Sequence, residues 1–154
     1  MIPLSFTPLD NHDPTLALPA YETEGAAGMD IRCCLGPADR ARGIALRSFH
    51  RALIPTGLAV RIPADHEIQV RPRSGLAARH GVTLVNAPGT IDSDYRGEIG
   101  ILMINLGTEI YRIGHGERVA QLVLAPVARA RPLRAETLDA TARNAGGFGS
   151  TGRD

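Results

Sequence analysis

The chain of 154 residues contains no lysine and no tryptophan, and the first absence narrows the chemistry open to it. All 17 basic side chains are arginine, so a Schiff-base lysine, a P-loop lysine and the lysine of kinase-type sites are excluded. Any recognition of phosphate must use guanidinium groups, hydroxyls and backbone N–H groups. Nucleotide bias in the genome is a simpler cause of the missing lysine, but the exclusion holds in either case.

Cysteine and aromatic residues are also scarce. Cys33 and Cys34 are the only cysteines and are adjacent, which predicts neither a disulfide framework nor a zinc site. Two free thiols suit a reducing cytosol. Aromatic residues make up 4% of the chain, so we expect a core of Val, Ile, Leu and Ala.

Strong net charge and long apolar runs are missing as well. A net charge of +1 gives no general attraction to nucleic acid or to an anionic membrane. The most apolar run, residues 99–106, is far shorter than the ~20 residues that span a bilayer. The N-terminal segment does not resemble a signal peptide. These features predict one cytoplasmic domain with neither nucleic acid nor a membrane as partner.

Glycine and proline, with 17 and 11 residues, divide the chain into short apolar segments. Residues 58–62 and 68–71 alternate apolar with polar side chains, and two further apolar runs cover 99–106 and 119–127. This pattern predicts an all-β sandwich or barrel. Residues 128–142 have no strong periodicity, and we expect a connecting arm there.

One segment favours a helix. Ser74 suits an N-cap, the residues that follow it are good helix formers, and Gly81 suits the position after the last turn. One short helix is therefore predicted at 74–81. Its N-terminus, with the Ser74 hydroxyl and Arg73 beside it, could also bind phosphate. Ser74 lies outside any G-x-S-x-G elbow, so it is not expected to be a nucleophile.

Residues 89–98 hold the densest cluster of functional side chains and join two apolar runs, which predicts a β-hairpin tip or a loop. Asp92 and Asp94 could bind a divalent cation, or one aspartate could accept a proton from an attacking water. Carboxylates in turns are also often solvated or capping groups. The sequence alone leaves both interpretations open.

Other polar residues have two readings each. Asp30, at the start of a strand, could cap a turn or orient water around a metal-bound phosphate chain. Gln121, within an apolar strand, could be a core amide or a ligand contact. The five histidines are scattered, so we expect them on the surface or in loops.

The last twelve residues, 143–154, combine flexibility with functional side chains. Four glycines between 146 and 152 make the segment too flexible to fold alone. Its arginines, hydroxyls and one aromatic are side chains that contact phosphate or stack on a base. We expect a mobile arm that orders over a ligand.

Five segments of the chain, in this order, resemble the five motifs of the trimeric deoxyuridine triphosphatase (dUTPase) family. They are AAGMDI, RPRSGLA, GTIDSDYRGE, RVAQ and RNAGGFGSTG, and they extend from residue 26 to residue 152. Each motif is weak alone, but five in register are specific. The resemblance implies an all-β, jelly-roll-like β-barrel over residues 1–142, with one short helix and a flexible, glycine-rich C-terminal lid at 143–154.

The same resemblance implies hydrolysis of dUTP to dUMP and pyrophosphate, with Mg2+ bound to the triphosphate. Such an activity provides dUMP for thymidylate synthesis and keeps uracil out of DNA. The implied assembly is a homotrimer with sites shared between subunits. Asp92 matches the general base that activates water for attack on the α-phosphorus, and Asp30 matches the aspartate that contacts the metal through water.

The resemblance also assigns substrate contacts. Those implied for the phosphates are Arg73, Ser74, Gly75, Gln121, Arg143, Gly149, Ser150 and Thr151. Those implied for uracil and deoxyribose are Asn86, Thr90, Ile91, Tyr95, Gly100 and Phe148, with Phe148 stacking on the base.

Discrimination is expected from the predicted hairpin. Cytosine would leave buried polar groups unpaired, Tyr95 would leave no room for a ribose 2′-hydroxyl, and a tight hairpin would exclude the methyl group of thymine. The chain departs from the family where Asn144 replaces the usual glycine, and Asn tolerates a positive φ. Two other readings are a dCTP deaminase, which needs a different serine/arginine motif, and a non-catalytic nucleotide-sensing or protein-binding module.

Overall fold

The computed structural model describes residues 1–147, and strands dominate this range. The strands are β1 (Ser5–Pro8), β2 (Met29–Arg32), β3 (Ile44–Leu46), β4 (Arg51–Pro55), β5 (Leu58–Arg61), β6 (His66–Arg71), β7 (Val82–Leu84), β8 (Gly89–Ile91), β9 (Gly100–Asn105), β10 (Tyr111–Ile113) and β11 (Arg118–Pro126). The helices are α1 (Pro37–Arg40) and α2 (Ser74–His80). The predicted all-β fold is confirmed, with α2 at the expected place. The short α1 is additional, because four residues carry no periodic signal.

The strands form four antiparallel sheets, with the orders β1–β5, β10–β3, β2–β11–β6–β8 and β4–β9–β7. Neighbouring strands are mostly far apart in the sequence: β11 lies between β2 and β6, and β9 lies between β4 and β7. Such nonlocal antiparallel pairing is typical of jelly-roll-like barrels. The strands of the sheet β2–β11–β6–β8 carry four of the candidate site residues, Asp30, Thr90, Ile91 and Gln121.

One cluster of buried aliphatic side chains packs between the sheets. Ile31, Leu46, Ile54 and Val60 come from four different strands, and each is at most 2% exposed. Burying such a side chain contributes roughly 1.5–3 kcal/mol. Among the described residues, the buried hydrophobic set contains no aromatic side chain. The expected aliphatic core is therefore confirmed.

The segment after β8 corrects one prediction. β8 pairs with β6, whereas β9 pairs with β4 and β7, so the two strands belong to different sheets. Residues 92–99, here called the crossover loop, pass from one sheet to the other. The alternative of a loop is right and that of a β-hairpin tip is wrong, because β8 and β9 find nonlocal partners.

The ends of α2 match the sequence at one terminus only. Gly81 adopts the left-handed conformation with φ of 66°, and its N–H donates to the Ala77 carbonyl, as expected for a terminating glycine. The N-cap is Arg73, in an extended conformation, and Ser74 is the first helical residue. The predicted N-cap is therefore wrong by one position.

Residues 127–147 follow β11 without a strand or helix. Nearly all of them are exposed, including Leu133 and Leu138. The connecting arm expected at 128–142 lies in this stretch. Neither helix within residues 1–147 has the length and apolar character needed to cross a membrane.

Candidate active site

The crossover loop and the strands beside it enclose a cavity of about 200 Å³. Asp92, matched to the general base, lines it together with Glu98, Ile99 and four residues that the resemblance assigns to uracil and deoxyribose: Thr90, Ile91, Tyr95 and Gly100. We call this the nucleoside cavity. Ile91 is buried beneath it, and Thr90 alternates outward along β8. The fold thus gathers residues from two sheets around one small space.

Asp92 lies on the rim of this cavity, directly after β8. It is exposed, and its backbone carbonyl accepts a hydrogen bond from Tyr95 N–H at 3.1 Å. No ion pair within residues 1–147 involves its carboxylate. The carboxylate is therefore available to a water or a ligand in the cavity.

Tyr95 and Asn86 flank the same region. Tyr95 is 46% exposed, and its hydroxyl donates to the Glu98 carbonyl at 3.0 Å, which holds the ring over the crossover loop. Asn86 lies against β8, because a Cβ on Gly89 would be 2.9 Å from the Asn86 amide nitrogen. The glycine therefore allows the Asn86 amide to approach the cavity strand closely.

A second group of side chains lies at the other edge of the β2–β11–β6–β8 sheet. The carboxylate of Asp30 is 5% exposed and lies between two arginines. Its Oδ2 is 3.3 Å from Arg73 Nη2 and 3.1 Å from Arg118 Nη1. Arg73 also donates to the Arg118 carbonyl, and Arg118 pairs with Glu22. We call Asp30, Arg73, Arg118 and Glu22 the arginine–aspartate cluster.

The local backbone explains how the cluster forms. The register between β11 and β2 shifts between Arg118 and Ala120, as in a β-bulge. Bulges change the direction of a side chain, and they are common next to functional sites. Gln121 then pairs with Asp30 on one side and with Arg71 on the other. Gln121 therefore lies in a row with the predicted site residues, half-buried on β11.

Arg118 is a cluster member that the sequence did not single out. It belongs to the RVAQ motif, lies at the register shift of β11 and forms an ion pair with Asp30. Glu98 at the crossover loop is a second such residue, and it forms part of the cavity lining. The one sequence signal that could have identified Arg118 and Glu98 as site residues is that each belongs to one of the five motifs.

The other oxygen of Asp30, Oδ1, is buried and has no hydrogen-bond partner within the described chain. A buried acceptor without a partner is costly, so it marks a place for a water or a partner group. Within residues 1–147, no set of three or more His, Cys, Asp or Glu side chains could hold a metal.

Ser74 and Gly75 begin α2 immediately after Arg73. Their backbone N–H groups belong to the first turn, where no intrahelical acceptor exists. The next two N–H groups, of Leu76 and Ala77, both donate to the Arg73 carbonyl. The start of α2 therefore presents two backbone donors and a hydroxyl next to the cluster.

Only the beginning of the C-terminal motif lies within the described residues. Arg143 is exposed, and its Nε donates to the Gly146 carbonyl of its own turn at 2.8 Å. Asn144 has a φ of 41°, the conformation for which an asparagine is suited at this departure from the family pattern. Phe148, Gly149, Ser150 and Thr151 lie outside the described residues.

His115 lies in the turn between β10 and β11, in agreement with the expected loop position, and it has structural partners that the sequence did not indicate. Its side chain is 17% exposed, and its Nε2 lies 3.1 Å from Asp13 Oδ2. Leu35 N–H donates to the other ring nitrogen at 3.0 Å. Asp13 also pairs with Arg40 at 2.8 Å. His115 therefore fastens the N-terminal segment to the barrel.

Asp13 is held as a carboxylate by its neighbours. Hydrogen bonds from the Thr15 hydroxyl and from Thr15 N–H lower the pKa of Asp13 from 3.8 to about 2. Contacts with His115 and Arg40 act in the same direction. This group stabilises the fold and lies apart from the nucleoside cavity.

The two cysteines are free and buried, as expected. Burial raises the pKa of the Cys33 thiol to about 11, and this thiol donates to the Gly114 carbonyl at 2.8 Å. Cys33 is therefore a protonated core residue at neutral pH. It offers no nucleophile.

A family profile described as dUTPase matches residues 15–152, which is most of the chain. Two relatives carry the name deoxyuridine 5′-triphosphate nucleotidohydrolase. The protein from Desulfotalea psychrophila is 61% identical over 138 residues, covering 90% of this chain and 89% of its own length. The protein from Methylocella silvestris is 55% identical over 141 residues, covering 92% and 86%.

The fold is similar to that of solved phage enzymes. The dUTPase of Staphylococcus bacteriophage 80alpha with dUpNHpp is 26% identical, has a TM-score of 0.78, and aligns over 97% of this chain and 98% of its own. The dUTPase of phage phi11 of S. aureus, described with a structural Mg(II) ion, has 22% identity and a TM-score of 0.72. That alignment covers 90% of this chain and 99% of the phage chain. At this identity the second likeness supports the fold alone.

Proposed function

The chain belongs to the dUTPase family, and from this premise we propose that it hydrolyses dUTP to dUMP and pyrophosphate with Asp92 as general base. The observation that carries the proposal is the position of Asp92, exposed on the rim of the nucleoside cavity. A base must lie within hydrogen-bond reach of the water that it activates. From this rim the carboxylate can take the proton of a water that attacks the α-phosphorus.

Uracil is recognised in the nucleoside cavity. Backbone groups of Thr90, Ile91 and Gly100, together with the Asn86 amide, pair with the edge of the base. A base with donors in place of acceptors leaves these polar groups unpaired, which costs about 1–3 kcal/mol for each buried group. Tyr95 packs beneath the deoxyribose and excludes a 2′-hydroxyl. Its hydroxyl is already bonded to the Glu98 carbonyl, which supports a fixed ring position.

The phosphates are held by Arg73, Ser74, Gly75 and Gln121. The first three supply a guanidinium, a hydroxyl and free backbone N–H groups at the start of α2, which together match the anionic oxygens of a triphosphate. Asp30 orients Arg73 through the ion pair between them. Most of the catalytic effect then comes from charge stabilisation and from the placement of water.

Mg2+ bound to the triphosphate would neutralise charge on the phosphate oxygens and supply ordered water molecules. Asp30 is the residue of this chain that fits it, through water, because its Oδ1 is buried without a partner in the described chain. The same carboxylate keeps Oδ2 for the two arginines. Asp30 can therefore orient water on one side while it holds Arg73 on the other.

The residues at 143–154 act as a lid. Arg143, Gly149, Ser150 and Thr151 contact the phosphates, and Phe148 stacks on uracil. Arg143 is exposed and bonds a carbonyl of its own turn, which supports a side chain that can turn towards a ligand. The aromatic face excludes water from the reacting centre.

The assembly is a homotrimer in which neighbouring subunits complete each site. Within residues 1–147, no member of the arginine–aspartate cluster lines the nucleoside cavity, although one substrate must reach both. In addition, Leu53, Val85 and Leu106 expose 66%, 47% and 53% of their surface on or beside the β4–β9–β7 sheet. Exposed apolar groups at one sheet are typical of a subunit interface.

We place the enzyme in the cytoplasm, where free thiols such as Cys33 and Cys34 persist. There it provides dUMP for thymidylate synthesis and keeps uracil out of DNA. Its partners are dUTP and further copies of the same chain.

The test is release of pyrophosphate from dUTP, dTTP, dCTP and UTP, each with Mg2+. Release from dUTP alone supports the proposal. Equal turnover of all four nucleotides contradicts it, and release of ammonia from dCTP favours a deaminase instead.

A further inference from the structure

We propose that Glu98 is a positioning residue that sets the shape of the nucleoside cavity and thereby the selectivity for dUTP. The proposal rests on the function proposed above. It assigns a role to a side chain that lies at the cavity without being one of its expected substrate contacts.

The carboxylate of Glu98 anchors the crossover loop to the turn between β4 and β5. Its Oε1 accepts hydrogen bonds from Gly57 N–H at 2.7 Å and from Thr56 N–H at 3.1 Å. The Asn11 side-chain amide donates to the same oxygen at 3.2 Å. One charged acceptor thus satisfies three donors that belong to two other segments, and charge-assisted hydrogen bonds are the strong ones.

The neighbouring residue adds a second attachment to the same turn. Ile99 N–H donates to the Leu58 carbonyl at 2.8 Å, and the Thr56 hydroxyl donates to the Ile99 carbonyl at 2.7 Å. Thr56 is only 1% exposed. The end of the crossover loop is therefore attached through the side chain of one residue and both backbone groups of the next.

The turn itself is fixed from its opposite side. Gly57 has a φ of 66°, and a Cβ there would lie 2.7 Å from His12 Cα, so the N-terminal segment packs tightly on the turn. Leu9 N–H also donates to the Gly57 carbonyl at 2.9 Å. The anchor for Glu98 is thus a rigid part of the barrel.

The position of Glu98 directly affects residues that line the nucleoside cavity. The Glu98 carbonyl accepts the Tyr95 hydroxyl, and Gly97 leaves room for the Tyr95 ring to fold back over the loop. Gly100, two residues further on, lines the cavity as well. A displacement of Glu98 therefore moves the sugar-facing ring and the base-facing backbone together.

The chemistry requires an acceptor of this length. Glutamine keeps a carbonyl oxygen at the same position and can accept from Thr56 and Gly57. Alanine leaves those two N–H groups without their acceptor, and aspartate is shorter by one methylene. A loosened cavity admits the methyl group of thymine or a ribose 2′-hydroxyl more readily. The preference for dUTP therefore falls more than the stability of the fold does.

The experiment compares kcat/KM for dUTP, dTTP and UTP in the wild-type protein and in Glu98→Ala, Glu98→Gln and Glu98→Asp. We expect the preference for dUTP to fall about tenfold or more in Glu98→Ala, since small misplacements of a site carry costs of this size. Glu98→Gln retains the preference within about twofold, because it retains the acceptor. Glu98→Asp, the milder variant if Glu98→Ala does not fold, shows an intermediate loss.

Asn105→Ala is the matched control. Asn105 lies at the opposite end of β9, is fully buried, and bonds the carbonyls of Leu46 and Glu109 and the N–H of Gly107. This variant also loses several side chain–backbone hydrogen bonds, so it loses thermal stability but keeps the preference for dUTP. An equal loss of preference in Asn105→Ala would mean that general destabilisation is the cause.

Unchanged preference in both Glu98→Ala and Glu98→Asp, or an equal loss in Glu98→Gln, overturns the inference. If the wild-type protein does not hydrolyse dUTP, the proposed function fails by itself. Hydrogen exchange at the Thr56 and Gly57 amides then tests, without any need for activity, whether Glu98 anchors the crossover loop. Exchange that is no faster in Glu98→Ala than in the wild type contradicts the anchoring.

Discussion

The nucleoside cavity and the arginine–aspartate cluster differ in how they are built, and we have proposed that they bind different parts of one ligand. The cavity is lined by residues of the crossover loop and of two strands, and several of its hydrogen bonds join side chains to backbone groups. The cluster consists of charged side chains that are already paired with one another, Asp30 with Arg73 and Arg118. A base edge demands fixed geometry, whereas phosphate oxygens demand charge. The construction of each region therefore agrees with the part of the substrate that we propose it binds.

The two regions also differ in how their geometry is held before a ligand binds. Arginines held by a buried carboxylate lose little freedom when they bind phosphate, because their rotamers are already restricted. The cavity instead depends on anchors outside its own lining, such as the turn that receives Glu98. Changes at the cluster should thus act on all triphosphates alike, and changes at the cavity should act on the choice among them. The predictions below follow this division.

The largest effect is expected at the rim of the cavity. Asp92→Asn removes the proposed base and should lower kcat for dUTP about a thousandfold while binding of dUTP persists. The neighbouring Asp94→Asn is the control, because Asp94 is also exposed but does not line the cavity. Steady-state kinetics and calorimetric titration measure the two quantities. Lost binding in Asp92→Asn, or full activity, contradicts the role of a base.

At the cluster, Arg73→Ala should lower kcat/KM for dUTP about a hundredfold, as expected when one donor to a phosphate is removed. The ratio between dUTP and dTTP should stay the same, because the base is read elsewhere. Arg42→Ala serves as control: Arg42 forms a surface ion pair with Asp39, and its loss should leave the kinetics unchanged. If Arg73→Ala changed the ratio of kcat/KM between dUTP and dTTP, the cluster would also affect the choice of base, and the two regions would not have separate roles.

Removal of residues 143–154 should have a smaller effect on turnover, about tenfold or more, because it removes the lid and leaves the two regions in place. The truncated protein should remain folded and trimeric by size-exclusion chromatography and thermal melting. Unfolding on truncation, or unaltered activity, would show that the segment is not a lid.

The smallest effect on catalysis is expected at Asp13. Its pKa is lower in the folded protein, about 2, than its ordinary value of 3.8, so this carboxylate stabilises the fold above pH 4. The contribution is lost as the pH falls from about 4 to 2. The Asp13→Asn protein should therefore be less stable than the wild type at pH 6. Between about pH 4 and 2 its melting temperature should depend less on pH. The kcat and KM of the folded enzyme should stay near the wild-type values. If the melting temperatures of variant and wild type fell in parallel over this pH range, the stabilising role of the Asp13 carboxylate would be contradicted.

The sequence was sufficient for the strands with clear alternation. β5, β6, β9 and β11 lie where period-two or apolar segments predicted them, because inward and outward residues alternate along a strand. The helix α2 was predicted from its residue types and from Gly81, and its C-terminus has the expected left-handed glycine. These features depend on local chemistry, which a sequence records.

The sequence was insufficient where distant segments meet. The crossover loop was open between a hairpin and a loop, because the partners of β8 and β9 lie far away in the chain. His115 gave no signal, since its partner Asp13 is 102 residues distant. The ion pair of Arg118 with Asp30 joins β11 to β2, which are far apart in the sequence, and no motif shows this pairing. The roles assigned to Asp92, Arg73 and the tail stay predictions.

The central claim is that the nucleoside cavity of one subunit works with the arginine–aspartate cluster of another. Co-refolding of equal amounts of the Asp92→Asn and Arg73→Ala proteins tests it most directly, because each variant retains the region that the other has lost. If neighbouring subunits complete each site, random assembly should restore about a quarter of the wild-type sites, and pyrophosphate release should rise to about that level. Activity that remains at the average of the two separate variants would contradict the claim, because each chain would then build its whole site alone.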